Sequence, residues 1–589
     1  MKILLMSLNS KFIHANLAIH SIKQYYDHYK NSDMPEVTVK EYTINNDMDH
    51  ILRDLVKGGY THIFASAYIW NIDQLSILFS NYVKVKQETQ VIFGGPEVTY
   101  DAIGHLKNKA FLKAVILGEG EATFVSLVEN IMAYGDEGYS KTEGIAHHSP
   151  FGPMMNRPRD LIMSLDRIPF PYADLTQFDN RILYYESSRG CPYNCSYCLS
   201  STAQGVRMLS LERVYEDMTT FLDANVQQVK FVDRTFNAIK HHALGIMRYL
   251  AAHDNGVTNF HFEITGTLLD EDYFELLSTV RPGLFQFEVG IQTTYEPTMK
   301  AINRPIPFEK LKHNCQRILS TGNIHLHVDL IAGLPYESFE LFLKSFDDVY
   351  SIGAEQVQLG FLKILKGTSI AEQKAEHGYV VREEAPYEVL ENQYISFSEL
   401  SKLKEIEALV EYYHNSGKFK HTLEYLLKNH FSTPSAFYLD LSRFYEAQGL
   451  FDSPVGTYRL YEILFEYSET LKVNIELIRD LLKYDYYYAN LKGDRELFHY
   501  EEIPGFNHKR LLLLKEDSFQ QNSLGISRED AKNLLKSVTF ITLKYDIIAL
   551  IESGYGSTQE QLTIVMIDYR NKARTNTIKI STELFTQSV

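Results

Sequence analysis

Short apolar runs separated by amphipathic stretches of helical spacing recur along most of this chain, and that alternation is what most constrains its fold. KILLMSL, THIFASAY, QVIFGGP and KAVILGEGE each hold a short apolar run and end in turn residues, as parallel strands covered on both faces do. LAIHSIKQYYDHY and NIDQLSILFSNYVKVKQ, which lie between them, carry apolar residues at helical spacing. Residues 1–145 are therefore expected to form a doubly wound, Rossmann-like α/β domain. The opening MKILLMSLNS lacks a basic leader and a cleavage site, and reads as the first strand, not as a signal peptide. Residues 146–180, with RPRDL and RIPFPYADL, are proline-rich and aperiodic and are expected to be a linker. Over 181–374 the alternation resumes: ILYYES, QVKFVD, NFHFEIT, FQFEVGI, IHLHVDL and QVQLGFL are strand candidates separated by helix-compatible segments. Such a series of βα units points to a partial TIM-type (β/α)6 barrel. Residues 375–589 are aromatic-rich and mostly helix-periodic, with β-like runs in VTFITLKYDIIALI, LTIVMIDY and NTIKIS, and are expected to be a mostly helical domain with a small β element.

A chain of 589 residues is too long for one core. With 58 Lys and Arg against 75 Asp and Glu, its net charge of −17 disfavours phosphate backbones and anionic lipid as partners, so a nucleic-acid substrate is not expected. No apolar run approaches the ~18 residues of a membrane span. There are 4 cysteines, sparse enough to suggest a reducing, cytoplasmic setting.

Cys191, Cys195 and Cys198 form a C-x-x-x-C-x-x-C array inside YYESSRGCPYNCSYCLSS, directly after the first barrel strand. Gly190, Pro192 and Asn194 supply the turns that let the thiols converge. Three thiolates can hold three irons of a [4Fe–4S] cluster and leave the fourth open to a chelating small molecule. Structural zinc would want a fourth ligand at nearby spacing. The remaining cysteine, Cys315 in KLKHNCQRIL, lies far along the chain and reads as a small buried hydrophobe.

RGCPYNCSYC, with Tyr197 as its aromatic residue, resembles the signature of the radical S-adenosylmethionine (SAM) superfamily. The resemblance implies that the methionine end of SAM binds the open iron, and that an electron from the cluster breaks the sulfonium to give methionine and a 5′-deoxyadenosyl radical. It also implies cofactor contacts at the other strand ends. FVDRTFN offers Asp233 and Asn237 in place of the family's common Gly-Gly-Glu, and Glu263 ends the next strand. EVGIQT offers Glu288 and Gln292, and NRP offers Arg304, suited to pair with the methionine carboxylate. DLIAGLP offers Asp329 with Gly333 and Pro335, and LKILKGT closes the series at Gly367. The plainer reading of Glu263 and Glu288 is a solvated charge at the barrel mouth, and that of Asp329 a helix cap.

FASAYIWNID, VIFGGPEVTYDA and VILGEGEATF resemble the N-terminal cobalamin-binding domain of one radical SAM subgroup. That resemblance implies Ser66, Gly94, Gly95, Gly118 and Glu119 as residues beside a bulky cofactor. The Asp-x-His-x-x-Gly motif that supplies a cobalt ligand elsewhere is missing, and His14, in SLNSKFIHANLA, reads as a surface histidine. The domain either binds base-off cobalamin or only docks against the barrel. The C-terminal region resembles an uncharacterised domain that accompanies the subgroup. The implied function is a radical enzyme of unassigned substrate, either a cobalamin-using methyltransferase or a hydrogen-abstracting oxidoreductase or mutase, served by a one-electron donor such as flavodoxin or ferredoxin. The competing reading is a non-catalytic cobalamin- or cluster-binding sensor. A thiotransferase is disfavoured, because no cysteines remain for a second cluster.

Overall fold

Strand β1 (Ile3–Asn9) is buried along its whole length, and its side chains alternate between two cores, Ile3 and Leu5 in one, Leu4, Met6 and Leu8 in the other. It lies inside a sheet with β2 (Val37–Thr43), β3 (His62–Ser66), β4 (Gln90–Gly94) and β5 (Leu112–Ile116), all parallel, followed by β6 (Ile145–Ser149) and β7 (Gly152–Met155), both antiparallel. The order is β2-β1-β3-β4-β5-β6-β7. Asn16 caps the helix Leu17–Tyr29 by accepting from Ile19 N–H, and Asp47 caps Met48–Gly58 in the same way through His50 N–H. Two features depart from the sequence reading. VTVKEYT forms β2, whose polar, half-exposed face reflects its place at the sheet edge. Strands β6 and β7 lie where an irregular linker was expected to begin, extending the sheet beyond residue 145.

The structure is a computed structural model. It describes residues 1–587 apart from 203–204, 494, 500–502, 528 and 572–574. The chain divides into two compact units, Met1–Phe342 with Leu359–Leu400, and Leu343–Gln358 with Ser401–Val589.

The second sheet of the first unit begins with β8 (Ile182–Tyr185). The hairpin β9 (Ser188–Cys191) and β10 (Gly205–Met208) stands apart from it, and the sheet continues with β11 (Gln228–Phe231), β12 (Asn259–Ile264), β13 (Phe285–Gln292), β14 (His325–Ala332) and β15 (Gln356–Phe361) in the order β15-β14-β13-β12-β11-β8. The pairs from β8 to β14 are parallel, as a partial βα barrel requires. On β13, Phe285, Phe287, Val289 and Ile291 are buried while Gln286, Glu288, Gly290 and Gln292 alternate with them on the half-buried inner face. The outer edge of β8 is covered: His14 forms a parallel bridge with Ile182, and Ile182 N–H donates to the Ile13 carbonyl at 2.7 Å. A short hairpin, β16 (Val380–Val381) with β17 (Val389–Glu391), follows the barrel.

The second unit packs helices Lys420–His430, Pro434–Ala447, Thr457–Thr470 and Ile475–Tyr488 around buried Tyr413, Tyr438, Tyr445, Tyr461 and Tyr467. An antiparallel sheet of β18 (Val538–Tyr545), β19 (Glu560–Asp568) and β20 (Asn576–Ile580) has its own core with Leu513, Leu514 and Phe585. Among the described residues no helix is long and apolar enough to cross a membrane.

Candidate active site

The cysteine array starts on β9. Gly190 has φ +105°, and a Cβ there would fall 2.1 Å from the Gly205 carbonyl oxygen of β10, so the hairpin requires glycine at this point. Cys191 ends the strand, and its Sγ lies 3.8 Å from Thr235 Oγ1. Cys198 N–H donates to the Cys195 carbonyl, while Ser196 is tied by its N–H to the Ile302 carbonyl and by its carbonyl to Ile370 N–H, both at 3.0 Å. The loop is thus pinned between the segments that follow β13 and β15. All four thiols are unbridged. Among the described residues no three His, Cys, Asp or Glu side chains converge on a single metal ion. A cluster, in contrast, takes each thiolate on a different iron and spaces the sulfurs apart. Cys315 lies away from the array on the helix Phe308–Ser320, where burial pushes its thiol up to about 12.

Arg304 reaches the array. Its Nη1 sits 3.5 Å from Cys195 Sγ, its Nη2 donates to the Gly290 carbonyl at 2.7 Å, and its guanidinium lies 5.9 Å from the Tyr193 ring centre. A Cβ on Gly290 would collide with the Gln292 amide at 2.5 Å and press on Arg304 at 3.5 Å, so the missing side chain makes room for both. Gln292 has φ +74° at a β-bulge, a strained backbone that turns its amide toward that space. Arg304 Nε, Gln292 Oε1, Asp329 Oδ1 and Ser196 Oγ are all buried without a partner among the described residues. Such atoms are rare in native interiors, and each needs a partner that a bound ligand, ion or water would supply.

The other strand-end residues divide into two sets. Asp233 is buried and bonded within the protein: its carboxylate accepts from Ser187 N–H at 2.9 Å and from the Ser187 and Ser188 hydroxyls at 2.6 Å. Burial raises it to about 6 despite these bonds. In this arrangement the carboxylate holds the turn between β8 and β9. Asn237 likewise stitches the backbone of Thr265. Glu263, Glu288 and Asp329 instead share the barrel lumen with Lys230. Lys230 Nζ lies 2.9 Å from Glu288 and 3.9 Å from Glu263, and His261 Nε2 lies 3.1 Å from Glu288. Burial opposes ionisation of Glu288, but the His261 contact and the Lys230 ammonium hold its carboxyl well below the usual range. Asp329, with burial reinforced by Glu288 and Glu263, is held well above it. The sequence reading did not single out Lys230. It stands two residues before β11 enters its turn, and only the barrel brings it to the carboxylates.

A cavity of about 1030 Å³ opens between the barrel mouth and the strand ends of the first sheet. Tyr197, Cys198 and Glu263 line it from the barrel, and Gly95, Gly118 and Glu119 from the first sheet. Ser66 and Gly94 stay behind its wall: the Ser66 carbonyl accepts from Asn71, and Gly94 faces Ile116. Gly95 is demanded by packing, since a Cβ would fall 2.5 Å from the Ala67 carbonyl oxygen, whereas Gly118, at φ +66°, opens onto free space. Glu119 is held by Arg207 and Arg189. Missed at the sequence level were Tyr68 and Trp70, stacked at 4.3 Å on the cavity wall. His14 is not a simple surface residue: it is half-buried on that wall with Nδ1 2.8 Å from the Tyr184 hydroxyl.

This arrangement of a three-cysteine loop that follows the first strand of a six-stranded sheet coincides with a family match described as "Radical SAM superfamily" over residues 185–349. Residues 185–349 are a radical SAM domain. A second match, to "Protein of unknown function (DUF4080)", covers residues 375–566. The 2-(S-pantetheinyl)-carbapenam-3-carboxylate methyltransferase of Streptantibioticus cattleyicolor is 25% identical over 65% of this chain and 61% of its own length. The cobalamin-dependent radical SAM methyltransferase TokK of Streptomyces tokunonensis is 26% identical over 49% of this chain and 44% of its own length. The chain thus spans less than two thirds of either relative. The cobalamin-dependent radical enzyme OxsB, solved with aqua-cobalamin bound, superposes with a TM-score of 0.60 over 85% of this chain and 82% of its own at 13% identity, a likeness of fold. The radical SAM domain of this chain therefore sits in the same architecture, with a Rossmann-like sheet ahead of it.

Proposed function

We propose that the chain is a cobalamin-using radical SAM methyltransferase. The observation that carries this reading is the single cavity lined by Cys198 and Tyr197 on one side and by Gly95 and Gly118 on the other. Cys191, Cys195 and Cys198 would hold a [4Fe–4S] cluster. The unpaired atoms of Arg304, Gln292 and Asp329 suit the zwitterionic end of SAM. Gly118, Tyr68 and Trp70 offer an open, flat-walled edge to a corrin. No histidine stands in a cobalt-ligating motif, so a base-off corrin is the form expected. When bound, the cluster supplies the electron that cleaves SAM and the corrin supplies a methyl carrier. The chain's own residues do the rest: Arg304 orients a carboxylate, Asp233 fixes the turn that leads into the cysteines, and the stacked aromatic wall keeps water away. The reading also takes the protein to be cytoplasmic and to draw electrons from a flavodoxin- or ferredoxin-like donor. The methyltransferase names of both relatives support it.

The test is anaerobic reconstitution of the whole chain. Dithionite and SAM should yield 5′-deoxyadenosine, and equilibrium dialysis should show hydroxocobalamin retained at tens of micromolar, about 6 kcal/mol of binding. A full cluster that yields no nucleoside would favour the sensor reading. Nucleoside without retained cobalamin would favour hydrogen abstraction alone.

A further inference from the structure

Two arginines face each other across the cysteine hairpin: Arg189 on β9 is the direct cross-strand partner of Arg207 on β10. Like charges in opposed positions destabilise such a ribbon, and an isolated hairpin is marginal to begin with. The compensation comes from elsewhere. Arg189 Nη2 lies 2.8 Å from both Glu121 and Glu186, and its Nη1 3.4 Å from Glu119. Arg207 pairs with Glu119 and donates to the Ile162 carbonyl at 2.6 Å. Glu119 follows Gly118 at the end of the loop leaving β5, Glu121 stands in the first turn of the helix Gly120–Tyr134 that comes next, and Cys191 is the last residue of β9. The four clamping side chains, Arg189, Arg207, Glu119 and Glu121, are 20%, 14%, 16% and 6% exposed. Ion pairs this buried add little net stability, because desolvation cancels most of the attraction; their best-attested use is to fix register. The planar guanidinium fork sets direction as well as distance.

We propose that Arg189 and Arg207, gripping Glu119 and Glu121, are positioning residues that set the spacing between the cysteine loop and the Gly118 loop. They thereby set the spacing between the two cofactors those loops would carry. The inference rests on the reading that the first loop holds the cluster and the second faces cobalamin.

The experiment uses the full chain reconstituted with iron, sulfide and hydroxocobalamin, and measures the distance between the reduced cluster and paramagnetic cobalt by pulsed electron resonance. The native chain should give one narrow distance. Arg207→Gln should keep its iron but broaden that distance, Arg207→Lys should broaden it less, and the reversed pair Arg207→Glu with Glu119→Arg should narrow it again. An unchanged narrow distance in Arg207→Gln overturns the proposal, as does failure of the reversed pair to recover when it is folded and loaded. Should the native chain retain no cobalamin, the functional reading fails on its own account. The clamp is then judged by hydrogen exchange at residues 188–191 and 205–208: acceleration of roughly tenfold in Arg207→Gln, with the barrel strands unaffected, supports it, and unaltered exchange overturns it.

Discussion

At the scale of single residues, the site rests on which thiols and glycines are irreplaceable. Cys195 lies beside Arg304, and loss of one thiolate leaves an iron without its anchor. Cys195→Ala should therefore abolish the visible charge-transfer absorption after reconstitution, whereas Cys315→Ala, deep in a helix, should leave it intact; bleaching by the second substitution would refute the three-ligand assignment. Arg304→Ala should weaken SAM binding by about 1.5–3 kcal/mol, the usual worth of a charge-assisted hydrogen bond, as read by equilibrium dialysis. Gly118 and Gly95 separate two roles. Gly118→Asn keeps the left-handed backbone, which asparagine tolerates, but fills open space in the cavity, so hydroxocobalamin retention should fall with iron content unchanged. Gly95→Val should instead lower thermal stability, by collision with the Ala67 carbonyl. The sequence pointed to Arg304 because its motif is local, and the fold brings that guanidinium beside Cys195. It did not show how Asp233 is held, because the three partners of its carboxylate, at Ser187 and Ser188, lie on another strand end.

At the scale of elements, a buried capping carboxylate makes one helix sensitive to pH. Asp485, on the helix Ile475–Tyr488, accepts from His421 N–H at 3.1 Å and Thr422 N–H at 2.8 Å, capping Lys420–His430 from a neighbour. Burial raises its carboxyl from 3.8 to about 7. The folded state therefore keeps a proton that the unfolded state has lost across that window. The associated stability is complete below 3.8 and disappears as pH rises through about 7. Native-state hydrogen exchange of Lys420–His430, corrected for intrinsic rates, should show the helix losing on the order of a few kcal/mol between pH 4 and 8, and Asp485→Asn should flatten that dependence. No sequence pattern announces this cap, since donor and acceptor are over sixty residues apart. The same limit hid β2 and the hairpin β9–β10. Their pairing partners are remote or their faces polar, while the strands buried on both sides, such as β1 and β3, stand out as unbroken apolar runs.

At the scale of the whole first unit, the alternation of strands and helices was enough to foresee a Rossmann-like sheet followed by a partial barrel, because each βα unit carries its own periodicity. The cavity between them was not foreseeable, because its lining comes from strand ends and loops far apart in sequence. The bridge between His14 and Ile182 carries a further consequence, for the order in which the polypeptide is made. Residues 13–15 leave the ribosome long before β8, so the segment that pairs with the edge of β8 is already present when the barrel's first strand emerges. A polypeptide begun at residue 181 would lack that segment and expose the edge of β8, and an uncovered edge strand recruits other chains. Size-exclusion chromatography should find it aggregated, and co-synthesis with a separate fragment of residues 1–180 should recover a discrete species. In this molecule a segment that is made early shields a strand edge that is made late.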